Sequence, residues 1–197
     1  MSYYDKIAKQ WHQHTGFKGG PFKALILNER LLAHIGPIAD QAILEIGAGN
    51  GYFIPWLLRR KSGQIPRKLY ITDVSFQQLA IAKKYFFLPN AQYESLDLYR
   101  PFKYDDQQFE LIIANMVFNE LTKNGIQQGL QECHRVLNQQ GQIILSILHP
   151  DFVKIQVQRG IIQQHKMIAS KGLRLPARQQ NISSYLDTLK RLGMEIE

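Results

Sequence analysis

Apolar positions along the chain switch repeatedly between helical and strand spacing. Tyr3, Tyr4, Ile7, Ala8 and Trp11 share one helical face, which predicts a short amphipathic helix. Three glycines mark His12 to Pro21 as loop, and apolar residues at 22, 25, 26, 32 and 35 predict a second helix stopped by Gly36-Pro37. Ala42-Ile43-Leu44-Glu45-Ile46 is a short buried strand running into glycines, Tyr52 to Arg60 a helix, and Lys68 to Thr72 a second strand. Ser75 caps a helix to about Phe87, with Pro89 beyond it. Ala91 to Ser95 is a weak third strand, and Phe109 to Ala114 a fourth after the turn-rich Tyr104 to Gln107. A helix over Ile126 to Leu137 and a fifth strand over Gln142 to Leu148 flank the Gly141 turn. Ser183 to Leu192 is a last helix, after which Gly193 starts a final strand. Strands rich in Ile and Leu alternating with short helices indicate βαβ units, a mostly parallel sheet and a doubly wound α/β fold.

Composition narrows the class. The 197 residues, 45% apolar and 20% charged, suit one soluble domain spanning 1–197 with a sizeable core, not a disordered tail. Cys133 is the single cysteine, so intrachain disulfides and Cys/His zinc clusters are excluded, and no other metal-ligand spacing is present. The polar stretch from Met1 to Gly16 lacks a signal core, and the longest apolar runs are too short to span a bilayer. A soluble cytoplasmic protein is expected. Much of the +8 net charge falls between Lys154 and Arg191, where eight basic residues face the single acid Asp187. No aromatic residue lies between Phe152 and Tyr185 to stack a base, so a solvated basic surface is favoured over an RNA backbone or anionic substrate.

The candidate chemistry sits where the first strand meets its helix, at Glu45-Ile46-Gly47-Ala48-Gly49-Asn50-Gly51. Glycines there permit a tight turn and close approach of backbone to a ligand. Ligands collect at the carboxyl ends of strands where strand order reverses. A dinucleotide loop would read G-x-G-x-x-G, whereas here the third glycine comes early and Tyr52 holds the sixth position. An acid followed by G-x-G-x-G instead resembles motif I of class I S-adenosylmethionine-dependent methyltransferases. Four more blocks follow in order: Asp73 after strand two, Asp97 after strand three, Asn115 after strand four within Phe109 to Asn115, and Glu132 to Gly141. The last two resemble the small-molecule branch that includes the ubiquinone-biosynthesis enzymes, and the resemblance covers about Asp40 to His149.

That resemblance implies a Rossmann-like methyltransferase fold and S-adenosylmethionine as cofactor, with S-adenosylhomocysteine as product. It places the cofactor carboxylate on backbone N–H groups around Gly47, Ala48, Gly49 and Gly51, with Glu45 buttressing the loop. Asp73 and Val74 would meet the ribose, Asp97 and Leu98 the adenine, and Asn115 the methionine end. Asp73 as a helix cap and Asp97 as a turn acid are the competing readings. A general base is needed only if the accepting atom loses a proton. Glu120 and His149 are the candidates, against a solvated helix residue and a backbone-bonded loop histidine. Tyr4 and Trp11 would cover the cofactor and shape the acceptor site, or form a plain docking stripe. Residues 1–36 are thus a helical cover, 40–149 the cofactor-binding core, 151–184 an acceptor-site flap or basic insertion, and 185–197 a last helix and strand.

Asn115-Met116-Val117-Phe118 lacks the prolines of amino-methylating enzymes, and mid-helix Cys133 is no C5-methylation nucleophile, so a small organic acceptor is expected. RNA or protein methylation through the basic segment, and a non-catalytic cofactor-binding partner, are the alternatives; a homo-oligomer is possible. Met194-Glu195-Ile196-Glu197 matches the start of a sixth strand and nothing follows for the seventh. A shortened or truncated form is therefore expected, with six parallel strands or a partner completing the edge.

Overall fold

Every residue of β1 (Ala42–Ile46) is buried, which requires cover on both faces of the strand. The computed structural model describes residues 2–160, 162–163, 166–168, 174–176 and 181–196. In it β1 is the middle strand of a five-stranded parallel sheet with β2 (Lys68–Asp73), β3 (Ala91–Ser95), β4 (Phe109–Asn115) and β5 (Leu137–Ser146). The order is β3-β2-β1-β4-β5, and Glu45 pairs with Ile71 on one side and Ile113 on the other. Helices α4 (Phe53–Arg60), α5 (Phe76–Tyr85) and α6 (Lys123–Val136) make the connections. Strand alternation sends Ile43, Ile71 and Ile113 into one core with Phe53 and Leu57, and Leu44 and Ile112 into another with Phe109, Phe118 and Leu130. Cys133 of α6 is buried in that second core, and burial raises its thiol pKa above the usual range. The order reverses between β1 and β4, so the crevice at their carboxyl ends is where a ligand belongs.

The amino-terminal cover comprises α1 (Tyr3–Thr15), α2 (Gly20–Phe22), a π-helical stretch over Lys23–Leu27 and α3 (Asn28–His34). Ser2 and Asp5 cap α1 reciprocally, Asp5 N donating to Ser2 Oγ at 3.2 Å and Ser2 N to Asp5 Oδ2 at 2.7 Å. The helix therefore runs four residues past Trp11, into the predicted loop.

Three further elements differ from the sequence reading. The fifth strand starts at Leu137, because Leu137 already pairs with Phe109 before a register shift lets the ladder resume at Leu111 and Gln142. Pro150–Gln158 forms α7, whose signals are a capping His149, proline at the first position and Asp151 in the first turn. Beyond α7 are three short antiparallel strands, β6 (Ile162–Gln163), β7 (Lys166–Ile168) and β8 (Arg174–Pro176), and most of the rest of the expected flap lies outside the described residues.

The predicted sixth strand does not form over Met194–Ile196. Gly193 is instead the left-handed residue (φ 73°) that closes α8 (Ile182–Arg191). Met194 N donates to Leu189 O at 3.1 Å and Gly193 N to Lys190 O at 3.0 Å, the paired bonds of a Schellman cap. Met194 thereby folds back against the core instead of joining the sheet, which has five strands among the described residues. No helix there is long and apolar enough to cross a membrane.

Candidate active site

The loop after β1 can only be glycine at its key positions. Gly47, Gly49 and Gly51 have φ of 65°, 58° and 81°. A Cβ on Gly47 would run into the Val117 isopropyl group, and one on Gly51 would lie 2.5 Å from the Ala82 methyl. Ala48 N donates to Thr72 O at 2.8 Å, which ties the loop to β2.

Asp73 closes the loop from the other side. Its Oδ2 accepts from Gly49 N at 2.8 Å and its Oδ1 from Ser75 N at 2.9 Å. One carboxylate thus joins the glycine loop to the start of α5. Burial outweighs these hydrogen bonds and pushes its pKa up to about 6. Beside it opens a cavity of about 660 Å³, lined by Asp5, Val74, Leu96, Asp97 and Tyr104 among others. Asp97 is oriented at its edge by Tyr99 N, which donates to Oδ1 at 3.0 Å, and by Arg100 at 3.6 Å. The Leu98 side chain is turned away into the core, against Gly129 of α6.

At the end of β4, Asn115 Oδ1 accepts from Ser146 Oγ at 3.1 Å, while its Nδ2 is buried without a well-formed hydrogen bond, near the Tyr52 hydroxyl. Met116 follows in the left-handed region (φ 63°), a strained conformation held by Met116 N donating to Ser146 O at 3.1 Å. Glu45 is buried beneath the loop with no hydrogen-bond partner for Oε2, and burial pushes its pKa up to about 8. Each unpartnered atom matches a group of the expected ligand: Glu45 Oε2 is an acceptor for an ammonium, and Asn115 Nδ2 a donor for a carboxylate.

The cover closes over this floor. Trp11 Nε1 stands 3.1 Å from where a Gly49 Cβ would be, Tyr4 meets Trp11 edge-on at 5.8 Å, and the Tyr4 hydroxyl hydrogen-bonds to Glu120. Glu120 lies on the 3₁₀ turn Phe118–Glu120 after β4, and burial pushes its carboxyl up to about 8. Asp5 anchors α1 by accepting from Ser75 Oγ at 2.7 Å, and His12 stacks on Tyr85 at 4.6 Å. The other catalytic candidate, His149, is exposed and caps α7, its Nδ1 accepting from Asp151 N at 3.2 Å.

Lys23 is the site residue that sequence reasoning missed. Its Nζ is held 5.9 Å above the Trp11 ring, and burial pulls its pKa down to about 8 against the opposing pull of Glu120 and Glu45. Only the preceding Gly19-Gly20-Pro21 marks this segment in the sequence. Gly19 lies under the Tyr52 ring with no room for a Cβ, which sets the cover's approach to the loop.

Residues 43–141 match the methyltransferase-domain family. The chain belongs to that family. It is 29% identical over 112 residues to malonyl-[acyl-carrier protein] O-methyltransferase 1 of Coxiella burnetii, a match that takes in 57% of this chain but 35% of that protein. The chain thus spans about a third of the length of the curated relative it matches. Its fold resembles that of a SAM-dependent methyltransferase from Aquifex aeolicus, with a TM-score of 0.67, 16% identity, and coverage of 100% of this chain and 91% of the other. An S-adenosylmethionine-dependent methyltransferase from Mesorhizobium loti gives a TM-score of 0.65 at 17% identity, covering 90% and 83%. S-adenosylmethionine is the cofactor that the methyltransferase-domain family implies, and the glycine loop, Asp73, Glu45 and Asn115 suit its groups.

The buried acids of this methyltransferase have a consequence for stability. Glu45, Glu120 and Asp73 all have folded pKa values above their unfolded ones, so the folded state binds more protons and stability falls as pH rises from about 4 to about 8. Lys23 is shifted down and by itself would return stability above about pH 8, where the raised Cys133 thiol and the raised Tyr52 and Tyr104 hydroxyls act in the opposite sense. Urea midpoints of the free protein should therefore fall as pH rises from about 5 to about 8. Glu45→Gln should flatten the acid limb, and an unchanged slope in that variant would count against Glu45 as a source.

Proposed function

We propose that the protein is an S-adenosylmethionine-dependent methyltransferase acting on a small organic acceptor, with Glu120 as the acid–base group beside the accepting atom. The reading rests chiefly on one convergence: the Asp73-clamped glycine loop, Asn115 and Glu120 meet at the switch point of the sheet under the cover. When bound, the cofactor supplies a methyl group made electrophilic by its sulfonium. The chain's own residues then hold and align. Asp73 offers its carboxylate to the ribose hydroxyls, Glu45 and Asn115 take the amino-acid end, and Val74 and Asp97 line the adenosine side. Tyr4 and Trp11 exclude water, which favours a displacement whose charges cancel as it proceeds.

Glu120 suits an acceptor that must give up a proton. Its carboxylate, populated as pH rises towards about 8, takes the proton through the position now held by the Tyr4 hydroxyl. His149 is given no step, because its Nδ1 is engaged in capping α7. The Coxiella relative's name adds support for an acceptor that is an organic acid derivative rather than a nucleic acid.

Calorimetry with S-adenosylmethionine, S-adenosylhomocysteine and NAD tests the cofactor, and transfer of labelled methyl to a panel of small acids and phenols tests the reaction. Binding of both sulfur ligands and not NAD is expected, with Glu120→Gln losing turnover but not cofactor affinity. Preference for NAD would sink the reading.

A further inference from the structure

Large apolar side chains stand exposed on two elements beside the site. Phe22, Leu25 and Ile26 recur at i, i+3 and i+4 on the cover helix, and Leu25 is 78% exposed although Asn28 and Leu31 further along are buried. On α7, Phe152, Ile155 and Val157 are exposed and Val153 is the one buried residue of nine. The cover rests on the glycine loop through Trp11, and α7 starts directly after β5 ends. Both elements therefore attach at the carboxyl-terminal edge of the sheet, beside the site. A soluble protein rarely leaves such faces bare without a use for them.

The exposed charges around them are mostly basic. Lys18 and Arg30 flank the first face and Lys154 and Arg159 the second, all exposed. Against them stand Asp151 and Glu29, and Glu29 is neutralised by Arg60 at 2.8 Å. Basic residues interleaved with bulky apolar ones suit lipid phosphates above hydrocarbon better than the core of a protein interface, from which charge is depleted.

We infer that this face docks the protein on an anionic lipid surface, with Phe22, Leu25 and Ile26 entering the headgroup layer and the lysines and arginines pairing with phosphates. Docking by elements beside the site, taken with the methyltransferase reading, points to an acceptor that is an amphiphile with an apolar tail. That last step rests on the methyltransferase reading, whereas the docking itself does not.

Co-sedimentation with phosphatidylcholine vesicles, with and without phosphatidylglycerol, tests it. The full chain should bind the anionic vesicles and lose that binding at high salt. Leu25→Ser/Ile26→Ser should lower partitioning at least about tenfold, the scale of burying one such side chain. Lys154→Glu/Arg159→Glu should abolish the preference for phosphatidylglycerol, and circular dichroism should show both variants folded. No binding of the wild-type chain to anionic vesicles at low salt would overturn the proposal. So would light scattering showing a dimer that Leu25→Ser/Ile26→Ser dissolves while vesicle binding stays unchanged. Calorimetry with S-adenosylmethionine on the same samples keeps the two readings apart, since cofactor affinity should be the same in both variants.

Discussion

Replacing Asp73 with alanine is expected to weaken S-adenosylmethionine binding by about 1–3 kcal/mol, roughly fivefold to somewhat over a hundredfold in dissociation constant. Two losses combine. The ribose loses a charged acceptor, and Gly49 N and Ser75 N, held at 2.8 and 2.9 Å, lose the group that fixes the loop against α5. Asp73→Asn separates them partially, since an amide has one acceptor oxygen and can satisfy only one of the two donors. Protonation is a milder version of the same change. With its pKa raised to about 6, Asp73 should release cofactor affinity as pH falls through that value and restore it above. Calorimetric titrations from pH 5 to 8 measure both effects. An alanine variant that binds as well as the wild type would remove the ribose assignment.

Gly47→Ala should cost the protein a large share of its stability. Alanine at φ 65° pays about 1–2 kcal/mol for a left-handed conformation, and the new methyl meets Val117 where there is no space. Overpacking of that kind costs a further ~1–3 kcal/mol. The expected total, about 2–5 kcal/mol, should appear as a drop in the urea midpoint at constant slope. Adding Val117→Ala relieves the clash and not the backbone conformation, so it should return the second part and leave the first. Full recovery would show that the backbone is under no strain there, and no recovery would show that Val117 is not the obstacle.

The parts of this molecule that the sequence made legible are those written in local chemistry. β1 reads correctly because five consecutive apolar or enclosed positions end in a glycine turn, and the position of Asp73 was legible because it closes a strand. Gly193 misled for the opposite reason. A glycine after a helix serves equally as a turn into a strand or as a left-handed cap, and the Leu189 carbonyl that decides between them becomes visible only in three dimensions. His149-Pro150-Asp151 carried a helix start that was legible in principle and was eclipsed by the strand before it. Lys23 was beyond local reading altogether. Its place over Trp11 depends on a π-helical stretch that turns one lysine inward from a face otherwise exposed, and neither residue's neighbours encode that meeting. Glu120 was legible as a position but not as a state, because the burial that raises its pKa exists only once the chain has folded around it.

The lone thiol of Cys133 has a practical value. Buried in the core and held protonated, it should stay silent towards maleimides while the protein is folded. The natural chain is therefore already suited to single-site labelling. A cysteine placed at exposed Lys9 on α1 would take one fluorophore without any need to remove the native residue. Quenching by Trp11 or by a bound ligand would then report, in real time, how far the helix lifts from the loop.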